Sequence, residues 1–99
     1  MTALHVLLHA PSAEALTRAR RNAANLRNAR PDAEVLIIAN AGAVAAALAI
    51  PDATDPLLRL CRNSLSAQGL DNTRELVEIE AAVVTLAELQ AKGWAYIRA

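Results

Sequence analysis

The chain has 99 residues, with ten Lys and Arg, ten Asp and Glu, and a single cysteine. This length predicts one domain over residues 1–99 with one hydrophobic core, and one cysteine excludes an internal disulfide or a zinc site of several thiolates. The formal net charge of zero argues against general binding to nucleic acid, because such binding draws on a surplus of Lys and Arg.

The first half of the chain alternates predicted strands with predicted helices. Leu4–His9 is an almost continuous apolar run, which is typical of a strand buried in a parallel sheet. Ser12 stands where a helix N-cap belongs, and the apolar spacing predicts a helix from there to about Ala29. Residues 33–39 are rich in branched side chains and predict a second strand, and residues 43–50 predict a short, almost wholly apolar helix.

The second half continues the alternation after a loop rich in Pro and Asp at residues 51–56. Leu57–Cys61 predicts a third strand, although periodicity also allows a helix that starts at Ala53. Asn63 would then cap a short helix that Gly69 ends. The remaining predicted elements are a helical turn at 73–76, a strand at 77–79, a helix at 82–92 closed by Gly93 and a strand at 94–97.

This alternation of strands and helices predicts the architecture. Parallel strands need long crossover connections, which helices supply. We therefore expect an α/β fold, in which a mainly parallel five-stranded sheet carries helices on both faces in a three-layer sandwich.

The apolar residues are numerous but small. They make up 55% of the chain, alanine dominates them and Phe is absent, so each buried residue removes little area from water. We expect a homo-oligomer, because subunit contacts would add buried area. The N-terminus has no basic flank and no stretch reaches about 18 apolar residues, which predicts a cytoplasmic protein without a membrane segment.

Candidate functional residues follow the predicted strands, because ligands of open parallel sheets bind beyond the carboxyl ends of the strands. These residues are His9, Asn40, Cys61 and Glu80. Cys61 precedes a predicted helix, whose N-terminus favours the reactive thiolate, and Arg62 adds a positive charge. Glu80 would oppose thiolate formation by bringing a carboxylate nearby. Alternatively, Cys61 is a small buried apolar residue, as free cysteines often are.

The two histidines are weaker candidates. His9 could assist the thiolate or hold an anion, or it could serve packing. His5 lies on the same face of the strand, away from its end, and is expected in the core or an interface. Two histidines without a third ligand do not predict a metal site, and the turn after His9 lacks the glycines of a nucleotide-binding loop, so no cofactor is predicted.

Five arginines on the first predicted helix form the main charge cluster. They could dock an acidic partner or nucleic acid. Their positions fan around the helix, which favours a solvated or subunit-facing surface. The five are Arg18, Arg20, Arg21, Arg27 and Arg30.

Two segments resemble the DsrE/DsrF-like family of small sulfur-relay proteins. Residues 61–65 read C-R-N-S-L, similar to a C-x-N-[ST]-L box, and residues 86–97 read L-A-E-L-Q-A-K-G-W-A-Y-I, similar to an L-x-x-L-Q-x-x-G-[WY]-x-Y-[IL] ending. Ile38-Ala39-Asn40 resembles the end of that family's second strand. The resemblance implies a flavodoxin-like fold, trimers or hexamers, and a cysteine that carries sulfur as a persulfide.

The resemblance assigns the sulfur-carrying role to Cys61, with Asn63 and Ser64 shaping its loop. The leading hypothesis is a cytoplasmic sulfur carrier or sulfurtransferase that takes a sulfane sulfur from a donor protein and passes it to an acceptor. The alternative is a non-catalytic homo-oligomeric module that binds a small molecule or anion at the strand ends, where His9, Asn40 and Arg62 stand. A third possibility is a subunit that needs a different paralogue to complete its site.

Overall fold

The computed structural model describes residues 3–99. The predicted alternation is confirmed, and the third strand is a strand, not part of a helix. The elements are β1 (His5–Ala10), α1 (Ala13–Ala29), β2 (Glu34–Ala39), α2 (Gly42–Ala49), β3 (Leu58–Cys61), α3 (Arg62–Ala67), β4 (Glu78–Ile79), α4 (Ala82–Ala91) and β5 (Ala95–Arg98), with a 3-10 turn at Asp55–Leu57 before β3.

The five strands form one sheet in the order β4-β3-β2-β1-β5, and every neighbouring pair is parallel. The chain winds in one direction from β1 to β4 and then returns through α4 to place β5 on the other side of β1. Because crossover connections between parallel strands are right-handed, this reversal of direction places α4 on the opposite face of the sheet. The result is the expected flavodoxin-like, three-layer α/β sandwich.

The two faces of the sheet are covered unequally. The side packed by α1, α2 and α3, which we call the α1 face, holds the larger buried cluster. The other side, which we call the α4 face, is covered by that one helix and holds a smaller cluster. Its buried members are Leu7, Ile38, Cys61, Ala82 and Leu86. Cys61 therefore lies on the thinly covered side of the sheet.

The ends of the two longest helices follow the predicted signals. Ser12 caps α1, since its Oγ accepts a hydrogen bond of 3.1 Å from the backbone N–H of Ala15. Glu14 adds a favourable negative charge to the first turn. α4 ends just before Gly93, whose φ of 94° suits a residue without a side chain. In residues 3–99, no helix is both long enough and apolar enough to cross a membrane.

Two local predictions are wrong. Residues 73–76 form a turn and not a helix, because the Asn72 side chain bonds both the N–H of Leu76 at 3.0 Å and its carbonyl at 2.6 Å. Glu75 adopts a positive φ of 54° within this turn. Asn63 does not cap α3, because the helix already begins at Arg62 and Cys61 occupies the N-cap position.

Candidate functional site

His9, Asn40 and Cys61 come together at the carboxyl edge of the sheet. Ala39 pairs in register with Leu60, so Asn40 and Cys61 are the next residues on two adjacent strands. Asn40 reaches towards β1, where its Oδ1 lies 2.9 Å from Nε2 of His9. The three predicted residues therefore follow one another across β1, β2 and β3.

β5 adds Tyr96, which is absent from the residues that the sequence predicts for this site. Its hydroxyl lies 2.6 Å from Nδ1 of His9, and the two ring centroids are 5.7 Å apart. Because Oδ1 of Asn40 can only accept, Nε2 of His9 carries a proton, and in the neutral tautomer Nδ1 accepts the hydrogen of the Tyr96 hydroxyl. Tyr96 is 41% exposed, so this hydrogen-bonded row reaches the surface.

Cys61 sits where the starts of α3 and α4 approach each other. Its side chain is 5% exposed, and its Sγ accepts a hydrogen bond from the backbone N–H of Ala82 at 3.4 Å. The N–H groups of Asn63 and Ser64 also face the sulfur, although α3 has no standard side-chain cap bond. Peptide groups at two helix N-termini thus direct their positive ends towards one sulfur atom.

The pKa of the Cys61 thiol is lowered by this environment. Burial raises the pKa, but hydrogen bonds from the Ser64 hydroxyl and from the N–H groups of Ala82, Ser64 and Asn63 lower it by more. Each of these donors interacts better with a thiolate than with a thiol. The site therefore favours the nucleophilic form of the cysteine.

The charged neighbours act differently from the expectation. The sequence predicts that Arg62 supports the thiolate, but its Nε lies 3.1 Å from Oε1 of Glu78 and its side chain is largely exposed. Hydrogen bonds from Asn72 and then from Arg62 lower the pKa of Glu78. Neither Arg62 nor Glu80 contributes to the lowered pKa of Cys61. Backbone donors and a hydroxyl tune this thiol in place of charged side chains.

Ser64 joins α3 to the turn after β2. Its Oγ accepts a hydrogen bond of 2.9 Å from the backbone N–H of Ala41, and the Gln68 side chain donates one of 2.9 Å to the Ala41 carbonyl. Ala41 has a φ of 49° and a ψ of −130°, a conformation that residues with a side chain rarely adopt. Ser64 and Gln68 thus hold a strained turn beside Cys61. Asn63 is exposed and faces Cys61 only through its backbone.

His5 is not a core residue. It is half-buried, and its Nε2 lies 3.0 Å from Oε2 of Glu34 at the start of β2. Its ring packs edge-on against Trp94 with centroids 5.2 Å apart. His5 therefore lies at the amino end of the sheet, away from the other candidate residues.

The described residues offer no metal site, and the cavities lie away from the carboxyl edge of the sheet. Among residues 3–99, no three His, Cys, Asp or Glu side chains gather as a metal ion would require. Two open cavities of about 360 and 450 Å³ lie between α1 and residues 50–57. They flank the α1 face and do not reach Cys61.

Comparisons with known proteins support the fold. No family model matches the sequence, and no relative is found among curated proteins. The structure is similar to that of MTH1491 from Methanobacterium thermoautotrophicum, a protein of unknown function, with a TM-score of 0.78. The two are 21% identical, and the match covers 97% of this chain and 99% of that one. At this identity the similarity shows a shared fold and leaves the chemistry open.

Proposed function

We propose that this protein is a sulfur carrier that holds a sulfane sulfur as a persulfide on Cys61. The observation that carries the proposal is the position of the sulfur at the starts of α3 and α4, where the N–H of Ala82 donates to it at 3.4 Å and the surrounding donors lower the pKa of the thiol. A thiolate is the form that attacks another sulfur atom. The resemblance of residues 61–65 to the cysteine box of DsrE/DsrF-like proteins supports the same residue.

The proposed transfer balances without an oxidant or a cofactor. The Cys61 thiolate attacks the outer sulfur of a persulfide donor, R–S–SH. A new S–S bond forms on Cys61, the S–S bond of the donor breaks, and the donor leaves as R–S⁻. An acceptor thiolate removes the outer sulfur by the same exchange in reverse.

Access to the sulfur is the main structural requirement of this proposal. Cys61 is 5% exposed and Ala81 and Ala82, at the start of α4, are also buried. A donor must therefore reach Sγ by displacing this first turn of α4. The polar contact between this turn and the sulfur is one hydrogen bond of 3.4 Å, and the other contacts are those of the small apolar cluster on the α4 face.

Sulfur loading tests the proposal directly. The reduced protein is incubated with glutathione persulfide, and its intact mass is measured before and after treatment with a reductant. We expect a gain of one sulfur atom that the reductant removes, and no gain in Cys61→Ser, which has no thiol. A folded wild-type protein that gains no sulfur would overturn the proposal, and circular dichroism checks the fold of both proteins.

A second candidate is a module that binds a small molecule or anion without catalysis. The hydrogen-bonded row of Asn40, His9 and Tyr96 at the carboxyl edge favours it, since polar side chains gathered there are typical of a ligand site. In this case Cys61 serves packing. Native thiol labelling separates the two, because a purely packed Cys61 reacts with iodoacetamide only after denaturation.

We also propose that the protein forms a homo-oligomer, as a trimer or hexamer. α4 leaves Val83 71% exposed, and the edge strand β5 exposes Tyr96 and Ile97. Apolar groups beside an unpaired strand edge are commonly covered by another chain. Native mass spectrometry tests this, with Val83→Lys expected to weaken assembly. A monomeric wild type would overturn it and would favour the need for a different paralogue.

A further inference from the structure

A groove runs along the outer side of α1, on the flank of the molecule away from Cys61. Its two cavities share Ala24, Ala53 and Thr54, so they form one continuous depression between α1 and the segment 50–57. The floor is made of small apolar side chains. Ala24 and Ala53 allow a ligand backbone to come close to the protein in the middle of the groove.

The α1 wall of the groove is cationic. The groove-lining positions of α1 are 17, 20, 21, 23, 24, 27 and 28, and they form one stripe along a single side of the helix. Arg20, Arg21 and Arg27 lie in this stripe, whereas Arg18 and Arg30 do not line the groove. Three of the five arginines on this helix therefore lie on the side that lines the groove.

The opposite wall is fixed to α1 by a nearly buried ion cluster. Arg20 is 10% exposed, and its Nη2 donates to the Ile50 carbonyl at 2.8 Å and to Oδ1 of Asp55 at 3.2 Å. Arg74 bonds Oδ2 of Asp55, and the N–H of Asp52 bonds the same oxygen at 3.1 Å. The groove is therefore formed before any ligand arrives, which lowers the entropic cost of binding.

The groove carries excess positive charge. Three guanidinium groups, on Arg20, Arg21 and Arg27, line it against one carboxylate, on Asp52. Arg20 and Arg74 are already paired with Asp55. Arg21 and Arg27 are exposed and form no ion pair with any of residues 3–99, so they are free to bind an anionic ligand.

The spacing of the two free arginines defines that ligand. Arg21 and Arg27 are six residues apart, which is about 9 Å along the helix axis, and they flank Ala24 on opposite sides of the stripe. A single small anion bound between them would leave most of the groove empty, because its lining extends along α1 from Thr17 to Asn28. In an extended peptide, carboxylates three residues apart are separated by about 10 Å and point to opposite sides of the backbone.

From this match we infer that the groove binds an extended acidic peptide segment of a partner protein. Its backbone lies over Ala24 and Ala53. Two carboxylates three residues apart pair with Arg21 and Arg27. This site is independent of the chemistry proposed for Cys61.

The test uses nuclear magnetic resonance of the 15N-labelled full chain. The probe is the blocked hexapeptide Ala-Glu-Ala-Ala-Glu-Ala, and the control peptide has Gln in place of both Glu residues. We expect amide shifts at Ala23, Ala24, Ala53 and Thr54 with the acidic peptide and none with the control. Added salt weakens the binding.

Charge variants on the same helix make the test specific. Arg21→Gln and Arg27→Gln each weaken binding by about threefold, as expected for an exposed ion pair, while Arg18→Gln leaves it unchanged. The inference is overturned by no shift at the groove, by equal shifts with the Gln peptide, or by equal weakening in Arg18→Gln. Stronger binding of inorganic phosphate or of a short oligonucleotide at the same amides would also overturn it.

Discussion

The backbone N–H of Ala41 donates a hydrogen bond of 2.9 Å to Oγ of Ser64, which joins the strained turn after β2 to the helix after β3. The Ser64 hydroxyl in turn supports the thiolate of Cys61. One hydroxyl therefore serves two neighbouring loops, since its oxygen accepts from the backbone and its hydrogen faces the sulfur. Substitutions at Ala41 test the strain of the turn, and substitutions at Ser64 test the pKa of the thiol.

Removal of the Ser64 hydroxyl should raise the pKa of Cys61. In Ser64→Ala the thiolate loses its largest favourable hydrogen bond, while its burial is retained. The N–H of Ala41 also loses its acceptor, which should cost about 1 kcal/mol of stability. The pKa is measured from thiolate absorbance against pH. Ser66→Ala, the same change at an exposed position of α3, should leave the titration unchanged.

The lowered pKa of Cys61 predicts a pH dependence of stability. The folded state favours the thiolate, so this stabilisation is fully present above the unfolded thiol pKa of about 8.5 and is lost as pH falls through the folded-state pKa. Urea unfolding of the wild type and of Cys61→Ser should therefore give a stability difference that grows in favour of the wild type at alkaline pH. A difference that shrinks as pH rises would contradict a lowered pKa.

Relief of the backbone strain at Ala41 should stabilise the fold. Ala41 has a φ of 49° and a ψ of −130°, where its side chain conflicts with the backbone. Ala41→Gly removes this conflict but makes the unfolded chain more flexible, and we expect a net gain in stability of about 1 kcal/mol. Thermal unfolding measures the change. Ala45→Gly is the matched control, because this exposed position inside α2 has ordinary helical geometry and should lose about 1 kcal/mol.

Loss of the carboxylate at Asp55 should destabilise the protein strongly. Asp55 is 13% exposed and is shared by Arg20 and Arg74, so Asp55→Ala leaves two largely buried guanidinium groups without their carboxylate. We expect a loss of about 3 kcal/mol in urea unfolding. Asp32→Ala, at an exposed position after α1, should change stability little. Similar losses in both variants would show that Asp55 does not hold the loop to α1.

Much of the fold follows from hydrophobic patterning. The run at Leu4–His9 and the branched residues at 33–39 predict strands because both faces of those strands are buried, and Ser12 and Gly93 mark helix ends through local geometry. The pattern at 73–76 wrongly predicts a helix, because no local signal shows that the Asn72 side chain bonds both the N–H and the carbonyl of Leu76.

The composition of the candidate site is less predictable, because it depends on which strands are neighbours. Three of its residues, His9, Asn40 and Cys61, stand at the carboxyl ends of predicted strands. The rule that ligands of open parallel sheets bind beyond those ends therefore identifies them. Tyr96 is 87 residues from His9, and nothing in its own segment shows that β5 lies beside β1. Arg20 likewise turns inward towards Asp55, a partner 35 residues away that helical periodicity does not reveal.

The unequal covering of the sheet has a consequence for reactivity. α4 is the only helix on the face of the sheet that holds Cys61, and few of its residues are buried, whereas the α1 face is held by three helices. Partial opening of the segment from β4 to β5 would then need less free energy than global unfolding. The rate at which a reagent reaches the sulfur is set by that opening equilibrium, and substitutions that tighten α4 on the sheet should slow the reaction even where they leave the thiol pKa untouched.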